Sequence, residues 1–418
     1  MIRFIILMLF FSSACIAAPT NQLIILTTFT ESSITPVTQQ FQQQYPNVTI
    51  KVLHRREESG LRLLNKNDHD IDIVISSSPA LFLSLIENNR LQPLSGLDHD
   101  FDAQWQTFQP DTTSSIAVFG YSGYGLMWNK DYLAKHQLDI PKTWKSLIQP
   151  QYFRHIIMSS PSRSGTTHLM VEDILQQYGW KEGWKLLLQI GGNLASVSAR
   201  SFGVSDAISR GLVGVGPVID SFAYEDQKQF PFIGFHYQNQ SPQLPSYIAA
   251  VKNINQAAHS QNFVDYLLSD KVQQNLSTSS LNKYGLHQKP NQPYSVSPIN
   301  HELMQHRAIL IKQLFDQVIN HQLDLLNQAW RLIHQIEKQE SLTYTQHQQY
   351  QRAIQLASTP PVSDVQANSI SYNQALLHSR SDVHTAKCIK RWRHMMSKQL
   401  EESILISEQL LAKTKGAK

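Results

Sequence analysis

Cysteine is nearly absent, with only Cys15 and Cys388 in 418 residues. Charge is also scarce, at 16% of residues, against 41% hydrophobic. That excludes a chain kept disordered by self-repulsion and leaves enough apolar material for a core. No internal apolar run approaches the roughly 20 residues that span a bilayer. A strong excess of positive charge is missing as well. The net charge is +4, and residues 380–418 hold nine Lys/Arg and four Asp/Glu. That tail alone is +5, so the remaining body is close to neutral at −1. Nucleic-acid binding, which needs a broad basic face to displace counterions, is therefore not expected. At 47.7 kDa the chain exceeds what one compact core usually holds, so two or three globular units are expected.

What is present begins with an export signal over residues 1–18. Met1–Ala18 reads MIRFIILMLFFSSACIAA, with Arg3 ahead of an apolar run from Phe4 to Phe11 and small residues ending at Ala18. Cys15 makes an imperfect lipoprotein box, because Ser12 stands where a large aliphatic residue is usual. Cleavage after Ala17 or Ala18 leaves Cys388 as the one cysteine, so no internal disulfide is expected and stability rests on packing.

From Gln22 onward strands and helices alternate. QLIILTT, residues 22–28, reads as a buried strand and Ser32–Tyr45 as a helix. Val48–Leu53 and Ile71–Ile75 read as further strands, each followed by a helical segment. This rhythm implies a parallel sheet covered on both faces. Ligands then sit in the loops after the strands: Thr28–Glu31, His54–Ser59 and Ser76–Ser78. A second unit spans about residues 115–220. It includes GYSGYGLMW, residues 120–128, read as one strand, and a helix from Gly165 to Tyr178 ended by Gly179. The chain then returns to the first unit through a strand at Ile248–Val251. The reading is two α/β lobes, residues 19–114 with 221–295 and residues 115–220, around a cleft with a hinge.

After Pro290 the strand signal ends. Ile311, Phe315, Val318, Leu325, Ala329, Leu332 and Ile336 follow three-four spacing, which predicts one long amphipathic helix over Asn300–Glu337. Thr343–Leu356 and Ser379–Ala412 are further helical stretches, the last through Ile389, Trp392, Met396, Ile406 and Leu410. Residues 296–418 thus form a C-terminal α-helical extension. Its apolar stripes serve packing against each other or the body, or docking on a partner. The +5 tail is suited to peripheral contact with anionic headgroups.

The sharpest local signal is SSPSRSGT, residues 159–166, between a strand and a helix. Free N–H groups of a first helical turn, the helix dipole, hydroxyls at Ser162, Ser164 and Thr166, and open space at Gly165 make a cradle for an oxyanion or phosphate. The plainer reading is an ordinary N-cap. Arg55-Arg56 and Arg200-Ser201 occupy loops on the cleft side, where a guanidinium grips carboxylate or phosphate with two hydrogen bonds.

Residues 159–220, together with Gly123–Trp128 and LPSYIAAVKNINQAA (residues 244–258), resemble the type II periplasmic solute-binding proteins. The resemblance covers about residues 22–290 and lies in their ferric-ion and sugar-phosphate branch. The helical extension, with HRREESG (residues 54–60) and SSSP (residues 76–79), resembles the regulatory components of phosphoglycerate transport. The resemblance implies the two-lobed periplasmic-binding fold and a periplasmic location. It also implies action with a membrane sensor kinase to induce a phosphoglycerate antiporter. The expected ligand is a small phosphorylated carboxylate such as phosphoglycerate, held in the cleft by Thr28, Arg55, Arg56, Ser77 and Ser78 from one lobe. Ser162, Ser164, Gly165, Thr166, Arg200, Ser201 and Asp220 are expected from the other.

The alternative is a receptor delivering sugar phosphate or ferric ion to an ABC permease. Ferric relatives use an adjacent tyrosine pair in the second lobe, and DSFAYE, residues 220–225, has one tyrosine, so iron is disfavoured. No metal site and no cofactor are expected. His301, His306, His321 and His334 share no helix face and read as solvated. No G-x-S-x-G elbow or H-E-x-x-H pair is present, and Asp70 and Asp72 read as solvated, so catalysis is not expected. Under the signalling reading, deletion of residues 300–418 is expected to spare ligand binding and abolish induction.

Overall fold

The computed structural model describes residues 21–66, 68–96, 114–238, 240–252, 257–289, 295–296, 299–339, 342–378 and 383–416. The expected export signal and Cys15 lie outside them. The first lobe is built on β1 (Gln22–Thr27), β2 (Thr49–His54), β3 (Ile73–Ser76) and β4 (Ile116–Ser122). Helices α1 (Glu31–Gln44), α2 (Glu57–Leu64) and α3 (Pro79–Glu87) alternate with the first three strands. Pro79 opens α3 at its first turn, where a missing N–H costs nothing, and Ser78 caps it by accepting from Leu81 N at 3.4 Å.

The second lobe holds β5 (Tyr124–Asn129), α4 (Lys130–His136), β6 (Ile156–Ser159), α5 (Gly165–Asn193) and β7 (Leu194–Ser198). It continues through α6 (Phe202–Ser209), β8 (Val215–Ile219), α7 (Asp220–Gln229) and β9 (Ile233–Tyr237). The chain then passes β10 (Gln240–Ser241) and β11 (Leu244–Ala250), followed by α8 (Ala257–Leu268), α9 (Asp270–Asn275) and β12 (Ser295–Val296).

Two five-stranded sheets result, in the orders β2-β1-β3-β11-β4 and β7-β6-β8-β5-β9. They are mixed rather than purely parallel. In the first, β1 runs parallel to β2 and β3, but β11 is antiparallel to β3 and β4. In the second, β6 is parallel to β7 and β8, but β5 is antiparallel to β8 and β9. The reversed strands belong to the segments that carry the chain between lobes. The expected single strand at 120–128 is two strands broken at Gly123, one in each sheet. The sheets therefore exchange at Gly123 rather than at 115. Because β9 pairs within the second sheet, the chain returns after Tyr237 rather than at 221.

The extension comprises α10 (His301–His306), α11 (Ala308–Val318), α12 (Leu323–Glu337), α13 (Tyr344–Ser358), α14 (Asp364–Ala367), α15 (Ile370–His378) and α16 (Val383–Gly416). The expected helix over Asn300–Glu337 is broken at Arg307 and again by a 3-10 turn at Asn320–Gln322. Its stripe is nevertheless one buried surface. Ile311, Phe315, Val318, Ala329 and Leu332 join the same apolar core as Leu169, Ile174, Trp184 and Leu187 of α5, and Ile336 is buried as well. The stripes thus pack on the second lobe.

Two glycines of α5 permit this. Gly179 adopts φ +76°, which turns the helix instead of ending it. At Gly192 a Cβ would fall 2.1 Å from the Trp330 ring, so only glycine lets α12 lie this close. A buried ion pair adds registry: Arg307 donates to both carboxylate oxygens of Glu172, at 2.9 and 2.8 Å. His334 is buried, against expectation, with Nε2 3.2 Å from Asn193 Oδ1. Asp72 is likewise buried, accepting from Ile24 N at 2.7 Å.

Candidate functional site: a basic cavity between the lobes

Strand register brings the loops together. Thr27 lies beside His54 and Ile75 in adjacent parallel strands, so the chain leaves the first sheet at one edge as Thr28, Arg55 and Ser77. In the second sheet Ser159 lies beside Ser198, which aligns the SSPSRSGT loop with Arg200. Helices α2, α5 and α6 start at these loops, so the positive ends of their dipoles border the space between the two edges. Between the two edges lies a cavity of about 320 Å³, within the range of small-molecule sites.

From the first lobe, Thr28, Arg55, Arg56, Ser77 and Ser78 line the cavity, as do Ser162, Ser164, Gly165, Thr166, Arg200 and Ser201 from the second. Asp220 does not line it. Its side chain is fully buried at the crossing between sheets, where Oδ2 accepts from Gly123 N at 2.6 Å and Tyr237 Oη at 2.9 Å. Burial raises its pKa to about 6. Asp220 therefore braces the hinge.

Several hydroxyls have structural duties too. Ser164 Oγ accepts from Thr167 N at 3.1 Å, so it is both N-cap and cavity wall. Thr28 and Ser76 hydroxyls lie 2.8 Å apart, and Ser77 and Ser246 hydroxyls 3.1 Å apart. Arg55 donates to the His54 carbonyl at 2.8 Å, and Arg200 lies 5.6 Å from the Phe202 ring centroid.

Sequence reasoning missed Lys283, Lys312, Arg62, Arg163 and Glu57. Lys283 is 4% exposed, donates to Ser122 Oγ at 3.0 Å and lies over the Phe29 ring. Burial lowers its pKa to about 8. Lys312 comes from α11, so the extension itself reaches the cavity. Its Nζ stands 3.4 Å from Glu57 Oε1, while Ser78 Oγ donates to Glu57 Oε2 at 2.7 Å. No sequence signal marks Lys312, which sits beside an apolar stripe like many helix-surface lysines. Among the described residues seven Arg/Lys and two Glu line the cavity. Such a balance, with helix N-termini at the wall, suits a small polyanion.

Among the described residues no tyrosine lines the cavity, and Tyr224 turns its hydroxyl to those of Tyr237 and Tyr284, at 2.9 and 3.3 Å. Among the described residues no group of three or more His, Cys, Asp or Glu is placed to hold a metal ion. None of their helices is long and apolar enough to cross a membrane.

Comparison with known proteins agrees with this geometry. The sequence profile of the bacterial extracellular solute-binding proteins matches residues 68–298. The phosphoglycerate transport regulatory protein PgtC of Salmonella typhimurium is 36% identical over 336 residues, covering 77% of this chain and 82% of that one. Among solved structures, the periplasmic binding protein AfuA from Actinobacillus pleuropneumoniae, with fructose-6-phosphate bound, superposes with a TM-score of 0.61 at 14% identity. It covers 71% of this chain and 98% of its own. Iron-bound HitA from Pseudomonas aeruginosa gives a TM-score of 0.54 at 15% identity, over 66% and 90% of the two chains. Two mixed sheets around a cleft, a matching profile over more than half of the length and a relative matched over 82% of its own length lead to one conclusion: this chain belongs to the bacterial extracellular solute-binding protein family.

Proposed function

We propose that the protein is a periplasmic receptor for a small phosphorylated carboxylate of the phosphoglycerate type, without enzymatic activity. It reports ligand occupancy to a membrane sensor kinase and so induces phosphoglycerate uptake. The observation that carries this is the charge of the interlobe cavity, where seven basic side chains converge against two carboxylates. The relative named for phosphoglycerate transport regulation supports the ligand class.

One charged contact contributes about 1.5–3 kcal/mol, and a micromolar ligand needs about 8 kcal/mol overall. Several cations must therefore act together. Arg55, Arg56 and Ser77 would hold the ligand from one lobe and Ser162, Thr166 and Arg200 from the other. A ligand touching both lobes favours the closed arrangement, because only differential contact shifts a hinge. The extension, packed on the second lobe, moves with it and is the part suited to meet the kinase. A basic C-terminal face would assist at anionic membrane surfaces.

Calorimetric titration tests the reading. 3-Phosphoglycerate, 2-phosphoglycerate and phosphoenolpyruvate are set against fructose 6-phosphate and ferric citrate. Micromolar binding of a three-carbon phosphate is expected, with no phosphate released. Tight binding of ferric citrate or the sugar phosphate alone would favour an importer's receptor, and phosphate release would mean a hydrolase.

A further inference from the structure

Glu57 is an anion held inside an anion site. Its Oε2 lies 3.8 Å from where a Cβ on Gly165 would stand, at the first residue of α5. Its Oε1 faces Lys312 Nζ at 3.4 Å. A carboxylate of the first lobe thus meets both a cation from the extension and the N-terminus of a helix of the second. Neither partner is sealed: the Lys312 and Glu57 side chains are 16% and 20% exposed, and both line the cavity.

The helix that carries Lys312 is tied to the same loop. Asp316, one turn on, accepts from Ser160 Oγ at 2.5 Å, and Ser160 Oγ lies 2.8 Å from Ser162 Oγ. At the other end of α11, Arg307 is locked to Glu172 of α5. The position of Lys312 relative to the anion loop is therefore set by contacts on both sides of it.

We infer that Lys312 is a ligand-contacting residue supplied by the extension, and that Glu57 is a surrogate anion which a phosphate or carboxylate group of the ligand displaces from it. The inference rests on the cavity being an anion site, as proposed above. The exchange swaps one anion for another at Lys312, so no unpaired buried cation is created. It makes the extension part of the binding site rather than a passive appendage, and sets ligand selectivity partly outside the two lobes.

The test uses the full chain and calorimetry with 3-phosphoglycerate. Lys312→Gln is expected to weaken binding roughly 10- to 100-fold, the size of one lost charged contact. Lys312→Arg is expected to retain most of it. Glu57→Gln is expected to tighten binding at least about twofold, since the competing partner is gone. That gain should vanish in the Lys312→Gln background. Circular dichroism of each variant establishes folding first. If the pair is only a strut that holds the lobes shut, Glu57→Gln weakens binding instead, and the inference is overturned. Wild-type protein that binds while both single variants titrate like it also overturns the inference, alone. Wild-type protein that binds no phosphorylated acid overturns the proposed function and this inference with it.

Discussion

Lys283 and Asp220 are buried charges on either side of the hinge, and each has a consequence in pH. Lys283 titrates near 8 because burial disfavours its cation. An anionic ligand wants that cation, so affinity should fall as pH rises from 7 to 9. Lys283→Met should bind more weakly and lose this dependence; calorimetry at the two pH values decides. Asp220 has the opposite sense. Its folded-state pKa of about 6 exceeds the ordinary 3.8, so the folded form holds the proton more tightly. The stability this gives is fully present below about pH 3.8 and lost as pH rises through 6. Denaturant unfolding of wild type and Asp220→Asn should show their stability difference shifting by about 2 kcal/mol against wild type between pH 4 and pH 7. A constant difference would show that Asp220 is not perturbed. Residue chemistry explains why the sequence suggests a ligand contact at Asp220. An acidic residue opening a helix at a cleft loop looks the same whether it faces the cavity or the backbone of Gly123.

Elements carry the next level. The SSPSRSGT loop and its helix were readable because capping chemistry is local: Ser164, Gly165 and the following apolar turn suffice. The helix breaks were not. Gly179 looked like a terminator, yet helical geometry resumes after it because Trp180, Trp184 and Leu187 find partners in the extension. Conversely, the stripe from Ile311 to Ile336 read as one helix, although the backbone turns at Arg307 and Asn320. Periodicity reports which side chains are buried, and it is blind to a bend that keeps them on one surface. Two substitutions test the element contacts. Gly192→Ala should cost about 1–3 kcal/mol through the forced clash with Trp330. Arg307→Met strands the fully buried Glu172 carboxylate and should cost about 3–5 kcal/mol. Unfolding free energies for both variants check the sizes.

At the scale of the molecule the extension is structural. Its helices share one apolar core with the second lobe, so removing residues 300–418 would expose that core to water. The truncated chain is expected to aggregate or melt well below the full protein in a thermal scan, and to lose binding with its fold. This replaces the expectation that truncation spares binding; a soluble, binding-competent truncation would restore it. The sequence by itself determined the alternation of strands and helices, the loops that line the cavity and the burial of the stripes. Each depends on neighbours a few residues apart, within reach of hydrogen bonds and side-chain periodicity. Only the tertiary structure decided where the chain crosses between sheets, which side chain braces the hinge, and that Lys312 reaches a cavity 255 positions from its partner Glu57. Those outcomes depend on how separate surfaces fit, and no local pattern encodes the direction in which a helix-surface lysine will point.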